Sequence, residues 1–115
     1  MCVDALRNII VISVLSGLSP LSSAEVISGE QIYVQNCMVC HGDDGSGAMP
    51  GVPDLAENKE LTATDNKVLI KRIKNGIEKP GATVVMPPKG GNPDLNDNQL
   101  DAVVRYLRQL IKEGN

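Results

Sequence analysis

Aromatic side chains are scarce in this 115-residue chain, which contains no Trp, no Phe and only two Tyr. Aromatic residues usually supply much of the core of a small domain, and a domain of this size buries only about 60–65% of its unfolded surface. The chain also contains 11 Gly and 7 Pro, which favour loops. The side chains alone therefore underfill a core, and a large apolar bound group would fill it.

A surplus of positive charge is also missing. The 11 Lys and Arg are outnumbered by 14 Asp and Glu, which gives a net charge of −3. Domains that bind nucleic acid carry a basic patch or stripe, so this balance argues against a nucleic-acid partner. The length fits one small domain and is too short for two.

The first 24 residues have the pattern of a secretory signal peptide. The apolar run NIIVISVLSGLSPL leads to SSA, which places the small residues Ser22 and Ala24 where a signal peptidase reads. The run is shorter than the about 20 apolar residues of a membrane span and contains Pro20; an uncleaved anchor is the alternative. We predict a signal peptide over residues 1–24 and a domain over residues 25–115 that is exported to the periplasm or another extracytoplasmic compartment.

Two helices are predicted in the first part of the exported domain. SGEQIYVQNCMVC predicts a helix that Ser28 caps. TATDNKVLIKRIKNG predicts a second helix, with Thr62 and Asp65 resembling a capping box and Gly76 as its stop. Long segments rich in Gly and Pro follow both helices, and loops of that length in a compact domain usually have a functional reason.

The last helix has the clearest pattern. In NDNQLDAVVRYLRQLIKEG, Asn96 is a good N-cap with Gln99 three residues later, and Gly114 ends the helix. Its apolar residues have the spacing of one face of an amphipathic helix: Leu100, Val103, Val104, Leu107 and Ile111. No strand pattern of any length is present, so the sequence predicts an all-α domain of three to four helices joined by long loops.

The stretch NCMVCHGDDGSG contains Cys37, Cys40 and the only histidine of the chain, His41. A redox dithiol of the thioredoxin type follows a strand and begins a helix, whereas these cysteines end a predicted helix. Structural zinc requires four Cys or His ligands, and the exported domain has two cysteines and one histidine. A plain disulfide would close a small strained loop and leave His41 unexplained.

The remaining interpretation is covalent attachment of haem, for which C-x-x-C-H is the signature. Two thiols at this spacing add to the two vinyl groups on one edge of the porphyrin. The residue that follows then lies beside the ring and can offer an imidazole nitrogen to iron. The sequence therefore predicts haem c bound through Cys37 and Cys40, with His41 as an iron ligand.

With this motif, the chain resembles the class I c-type cytochromes, a family of small monohaem proteins. The resemblance covers nearly all of residues 25–115 and depends on CMVCH, GVPDL, VMPPKGGNPDL and the terminal helices with GEQIY and VVRYLRQL. It implies the cytochrome c fold, an all-α domain wrapped around one covalent haem. It also implies that covalent haem attachment takes place outside the cytoplasm, which agrees with the predicted export.

The resemblance also assigns roles to single residues. It implies that Gly29 permits the first and last helices to cross closely, beside Tyr33 and Tyr106. Pro53 and Leu55 match the P-x-L segment of the family, in which the proline carbonyl accepts a hydrogen bond from the other ring nitrogen of the histidine. Such a bond orients the ring and raises ligand basicity.

Met86 is the predicted sixth ligand of the iron. It lies far along the chain in a proline-bounded loop and matches the M-P ligand loop of the family. Met38 lies between the two cysteines, and Met49 is in the loop on the histidine side, where we expect it to fill the core. The glycines of KGG after Met86 let the chain turn closely against the haem or the protein.

A His/Met pair leaves no open position on iron, which favours electron transfer and disfavours turnover of a small-molecule substrate. We therefore predict a one-electron carrier, not an enzyme, with redox proteins as donor and acceptor. The basic residues of the second helix and the Met86 loop could steer an acidic partner, or serve only as solvated surface. Two alternatives stay open: a cytochrome subunit docked in a larger dehydrogenase or respiratory membrane complex, and a haem sensor or peroxidase-like protein with an open sixth site.

Overall fold

The computed structural model describes residues 25–113, and the predicted signal peptide, Cys2 and Gly114 lie outside them. In this part of the chain five α-helices follow one another: α1 (Gly29–Asn36), α2 (Met38–His41), α3 (Lys59–Ala63), α4 (Asn66–Asn75) and α5 (Asp97–Glu113). A 3-10 helix, Pro88–Gly91, precedes α5, and no strand is present between residues 25 and 113. The predicted all-α class is confirmed. None of these helices combines the length and the apolar character that crossing a membrane requires.

The first predicted helix is divided in two at Cys37. Ser28 and Gln31 form a reciprocal capping box at the start of α1, since each accepts a hydrogen bond from the other's backbone N–H. The side-chain amide of Asn36 donates to the Ile32 carbonyl one turn earlier, a bond of a kind that bends helices. Cys37 then departs from helical geometry with φ −118°, so the cysteine motif occupies a separate turn.

The second predicted helix begins later than expected. Thr62 is not an N-cap: it lies inside α3, and its hydroxyl donates to the Lys59 carbonyl. Asp65 has an extended backbone and caps α4, because its carboxylate accepts from the Lys67 N–H at 2.8 Å. Gly76 ends α4 with φ 78°, as predicted.

Helix α5 is the element against which the others pack. Asn96 and Gln99 form its capping box, and it contacts both α1 and α4. Its buried residues are those that the apolar spacing predicted: Leu100, Val103, Val104, Leu107 and Ile111. Together with Ile32 and Tyr33 of α1 and Leu55 and Leu95 of the loops, most of them form the main core cluster.

Arg108 of α5 fastens the short helix α3. Its guanidinium donates to the carbonyl oxygens of Leu61, Thr62 and Thr64 and to the side-chain oxygen of Asn66. Carbonyls at a helix C-terminus have no partner within the helix, so one planar group with five donors satisfies several of them at once.

Helices α1 and α5 cross where Gly29 meets Ala102. A Cβ atom on Gly29 would lie 2.1 Å from the Ala102 carbonyl oxygen and 3.1 Å from Cβ of Tyr106. One turn further along α1, the rings of Tyr33 and Tyr106 pack with their centroids 5.5 Å apart. The structure therefore confirms the predicted role of Gly29 in the helix crossing.

Replacing Gly29 with Ala should lower the free energy of unfolding by about 1–3 kcal/mol, the usual cost of overpacking, although Ala is otherwise the better helix former. Chemical denaturation followed by circular dichroism measures the change. Gly81→Ala is the control, because a Cβ at Gly81 meets no atom within 4 Å and only its φ of +78° is strained. If G29A is as stable as the unmodified protein, the crossing does not depend on the glycine.

Candidate functional site

One apolar cavity of about 640 Å³ lies between α1, α2, α4, α5 and the two long loops. Cavities that hold cofactors usually measure about 300–1,000 Å³. Its lining includes all six site residues that the sequence predicted: Cys37, Cys40, His41, Pro53, Leu55 and Met86. These residues come from three separate segments of the chain, which the fold brings to one space.

Helix α2 positions the cysteine motif on the cavity wall. The N–H groups of Cys40 and His41 both donate to the Cys37 carbonyl, at 3.2 and 3.0 Å, so the motif forms one compact helical turn. Both cysteines are half-buried free thiols. Burial raises the pKa of the Cys37 thiol to about 11, with a smaller contribution from Cys40, so the Cys37 sulfur keeps its proton at neutral pH.

The turn ends at Gly42, whose carbonyl accepts a hydrogen bond of 2.7 Å from the Tyr33 hydroxyl. Gly42 has φ 82°, a left-handed conformation that favours glycine. Burial is the main cause that raises the pKa of Tyr33, so its hydroxyl stays protonated and remains a donor. Tyr33 thus joins α1 to the end of the cysteine motif, in addition to its contact with Tyr106.

His41 combines a neutral ring with an unused nitrogen. Burial lowers the pKa of its imidazole, which favours the uncharged form that can bind a metal. Its Nδ1 atom is the one buried side-chain nitrogen or oxygen within residues 25–113 that has no hydrogen-bond partner. A buried polar atom without a partner costs about 1–3 kcal/mol, and Nδ1 is the nitrogen that the predicted hydrogen bond to the Pro53 carbonyl would satisfy.

The predicted hydrogen bond between the Pro53 carbonyl and the His41 ring is not formed in this structure. Pro53 and Leu55 line the same cavity as the ring, and Leu55 is buried, with its N–H bonded to the Gly45 carbonyl at 2.8 Å. The buried Nδ1 of His41 has no hydrogen-bond partner among the described residues. Pro53 and Leu55 therefore lie at the cavity as predicted, but the hydrogen bond from His41 to the Pro53 carbonyl is absent.

Met86 lies on the cavity wall, with its backbone paired to Ile77. The N–H of each residue donates to the carbonyl of the other at 3.0 Å, an isolated antiparallel bridge. Gly76 makes this approach possible, because a Cβ there would lie 2.7 Å from the Met86 carbonyl oxygen. Met38 and Met49 do not line the cavity, and Met49 is 44% exposed, so the expectation that it fills the core is wrong.

Charged side chains at the cavity rim were not predicted. Arg72 and Lys79 line the cavity together with Glu60 and Glu78. The Glu60 carboxylate forms an ion pair with both cations, at 2.9 Å from Arg72 and 4.0 Å from Lys79. In the sequence these residues read as solvated surface, because neither their spacing nor their type places them near the cysteine motif.

Other basic residues of this region are also engaged. Lys74 pairs with Asp97 at 2.7 Å, and the Lys89 ammonium donates to the Pro93 carbonyl at 2.8 Å. Among the basic residues from 67 to 89 of the described chain, only Lys67 and Lys71 form no ion pair or hydrogen bond through their side chains. Fewer basic side chains near the Met86 loop are therefore without a partner than the sequence suggests.

Comparison with known proteins gives the family. A family model described as cytochrome c oxidase, cbb3-type, subunit III matches residues 24–107. The chain belongs to this family of c-type cytochrome domains, and the predicted resemblance to class I c-type cytochromes is confirmed. As such a domain it is an electron-transfer protein that binds haem c covalently, which agrees with the apolar cavity and with the two free thiols that line it.

Three relatives illustrate the range of proteins that contain such a domain. The chain is 35% identical over 97 residues to the cbb3-type cytochrome c oxidase subunit FixP of Bradyrhizobium diazoefficiens, covering 84% of this chain and 31% of that subunit. It is 31% identical over 88 residues to cytochrome c-555 of Prosthecochloris aestuarii, covering 72% of this chain and 85% of that protein.

The third relative is lupanine 17-hydroxylase [cytochrome c] of a Pseudomonas species, 34% identical over 89 residues, or 76% of this chain and 12% of the hydroxylase. This chain therefore spans about a third of the FixP subunit and a smaller part of the hydroxylase. No solved structure was found to match it.

Replacing Tyr33 with Phe should lower the free energy of unfolding by about 1 kcal/mol, because the Gly42 carbonyl loses its hydrogen bond. Denaturation of the haem-loaded protein measures the change. Tyr106→Phe is the matched control: Tyr106 is half-buried in the same ring pair, and its hydroxyl forms no hydrogen bond with residues 25–113. Equal effects of both substitutions would contradict a specific role for the Tyr33 hydroxyl.

Proposed function

We propose that this chain is a one-electron carrier domain with a single haem c, attached to Cys37 and Cys40 and coordinated by His41 and Met86. The observation that carries the proposal is the shared cavity. Two free thiols, the imidazole of His41 and the thioether side chain of Met86 line the same apolar space. This donor set is the His/Met coordination of many cytochromes c.

The cysteine turn supports covalent attachment at one edge of a flat ring. Residues three apart in a helix lie on the same face, so Cys37 and Cys40 both face the group that the cavity encloses. Each cysteine would hold the haem by a thioether in which the sulfur is bonded to one vinyl carbon and the thiol proton has gone to the other.

When bound, haem c supplies one-electron chemistry by alternating between ferric and ferrous iron. The chain's own contribution is to exclude water with an apolar lining, to hold the imidazole of His41 neutral and to offer the soft sulfur of Met86. A methionine ligand raises the reduction potential. With His41 and Met86 both bound to the iron, no position would remain for a substrate, so we propose an electron carrier that catalyses no reaction of its own.

Arg72 and Lys79 would hold the carboxylate groups of the haem. They are the two Lys or Arg side chains among the described cavity-lining residues, and a carboxylate already lies between them in the form of Glu60. Because this ion pair is partly exposed, its own contribution to stability is small. Arg72 and Lys79 can therefore give up the Glu60 carboxylate and bind a haem carboxylate in its place.

The partners are proposed to be redox proteins outside the cytoplasm. Two arrangements are supported by the relatives: a small carrier, as the 85% coverage of cytochrome c-555 suggests, and a cytochrome domain of a cbb3-type oxidase, as the FixP match suggests. Lys67 and Lys71, which form no ion pair with another described residue, are the basic side chains best placed to steer an acidic partner. We propose no nucleic-acid partner and no small-molecule substrate.

A sensor or peroxidase-like function with an open sixth site is less well supported. Such a protein needs a vacant or easily displaced position on the iron. Met86 instead lines the cavity, and two backbone hydrogen bonds to Ile77 fix its place. The carrier function is therefore the one that this geometry supports best.

Attachment is tested on the unmodified protein and on two variants. Acid–acetone should extract no haem from the unmodified protein, and intact mass should equal the polypeptide plus one haem. Cys37→Ser and Cys40→Ser should each lose one thioether bond, seen as a shift of the reduced haem spectrum to longer wavelength. Ser46→Ala, outside the motif, is the control. Colourless protein with both sulfurs free to alkylate would contradict the proposal.

Met86→Ala should abolish the weak far-red band that sulfur bonded to ferric iron produces, and should allow carbon monoxide to bind readily to the reduced protein. Absorption spectra of both redox states measure these effects. Met49→Ala is the matched control, because Met49 does not line the cavity. If M49A loses the band and M86A retains it, the assignment of the sixth ligand is wrong.

A further inference from the structure

Asn36 occupies the junction between α1 and the cysteine motif. It is the last residue of α1, directly precedes Cys37 and lines the cavity. Its amide is used at both ends: Nδ2 donates to the Ile32 carbonyl at 2.8 Å, and Oδ1 accepts from Nδ2 of Asn92 at 3.0 Å. The second bond joins residues that are 56 positions apart in the sequence.

Asn92 ends the 3-10 helix that follows the Met86 segment, and its amide is also engaged at both ends. While Nδ2 donates to Asn36, Oδ1 accepts from the Asp94 N–H at 3.1 Å. Its backbone N–H donates to the Lys89 carbonyl at 3.2 Å. Each of the two amides thus has one donor and one acceptor partner, which fixes its orientation and makes the pair a directed chain of hydrogen bonds.

Gly90 adds a second contact between the same two segments. A Cβ on Gly90 would lie 2.8 Å from the Asn36 carbonyl oxygen, and its φ is +64°. Lys89 before it also has a left-handed backbone, with φ 56°, a conformation that is unfavourable for a residue with a Cβ. A backbone held in this form requires support from its surroundings, and the contacts with Asn36 lie directly beside it.

We propose that Asn36 and Asn92 are positioning residues that latch the segment after Met86 to the cysteine end of the cavity, and so keep the Met86 sulfur on the iron. This proposal rests on the function proposed above. Met86 itself is paired with Ile77 through its backbone, and the 3-10 helix after it contacts both α4 and α1. The Asn36–Asn92 hydrogen bond joins this segment to the residue before Cys37. Without that bond the segment keeps its contact with α4 but is held less firmly to the cysteine end of the cavity.

The latch matters most in the ferric state. Thioether sulfur is a soft ligand and binds the harder ferric iron less firmly than ferrous iron. A nitrogen ligand added from solution therefore competes with Met86 in the ferric protein, and its apparent affinity reports how easily the segment opens. This readout does not depend on electron transfer to any partner.

The experiment titrates the ferric, haem-loaded full chain with imidazole and follows loss of the far-red sulfur band. Asn92→Ala should lower the apparent dissociation constant of imidazole about fivefold to tenfold, as expected for loss of one hydrogen bond. Asn36→Ala should have a similar effect. The effect of the double variant should be smaller than the sum of the two single effects, because both substitutions remove the same bond between Asn36 and Asn92.

Asn96→Ala is the matched control. It removes an asparagine amide in the same region, which caps α5 by accepting from the Gln99 N–H at 3.0 Å, and it should reduce overall stability without changing imidazole affinity. Asn92→Asp is a second test that leaves the size unchanged. Its carboxylate keeps the acceptor for the Asp94 N–H but cannot donate to Asn36, so imidazole affinity should rise at least as much as in N92A.

The outcomes separate this proposal from the one it rests on. If the unmodified protein lacks the far-red band, or M86A retains it, Met86 is not the ligand and both proposals fail. If the band is present and lost in M86A, but N36A and N92A bind imidazole like the unmodified protein, only the latch is overturned. It is also overturned if N96A binds imidazole as tightly as N92A.

Discussion

Helices α1 and α5 cross with their backbones almost in contact, because Gly29 presents no side chain to the Ala102 carbonyl. This crossing places the cysteine motif, since α2 begins two residues after α1 ends. Helix α5 also contacts α4, and Arg108 of α5 binds carbonyl groups at the end of α3. The close crossing of α1 and α5 therefore positions the part of the cavity wall that contains the cysteine motif.

The chemistry of the cavity follows from the small number of polar groups in its wall. Aliphatic side chains exclude water, and within residues 25–113 the imidazole of His41 is the one buried side chain with an unbonded nitrogen. Burial holds that ring neutral and the Cys37 thiol protonated. The charged groups stay at the rim, where Glu60 balances Arg72 and Lys79. An apolar interior with cations at its rim would suit a large apolar group that has carboxylates at one edge.

The same domain serves in proteins of different size. This chain spans 85% of cytochrome c-555 but only 31% of the FixP subunit. The helices and loops of residues 25–113 line one apolar cavity between them. The relatives differ in how much chain lies outside the matched region.

Local patterns of the sequence predict much of this fold. The apolar spacing of α5 gave its buried face, and the caps at Ser28 and Asn96 gave two helix starts, because periodicity and capping involve residues no more than four positions apart. The C-x-x-C-H motif is equally local, so it indicated haem without any knowledge of the fold. The local pattern predicted the wrong N-cap for the second helix. Thr62 and Asp65 are both residue types that cap helices, and in the structure Asp65 is the cap of α4. Thr62 instead belongs to α3, whose last carbonyl groups bind Arg108 of α5.

Other features were decided by tertiary structure. That Met86 lines the cavity and Met49 does not, that Asn36 meets Asn92 and that Glu60 lies between two rim cations all depend on segments far apart in the chain. The sequence determined which chemical groups are present and which short stretches become helices. Only the packed fold determined which of those groups meet, because a hydrogen bond or a shared cavity requires distances that no short-range pattern encodes.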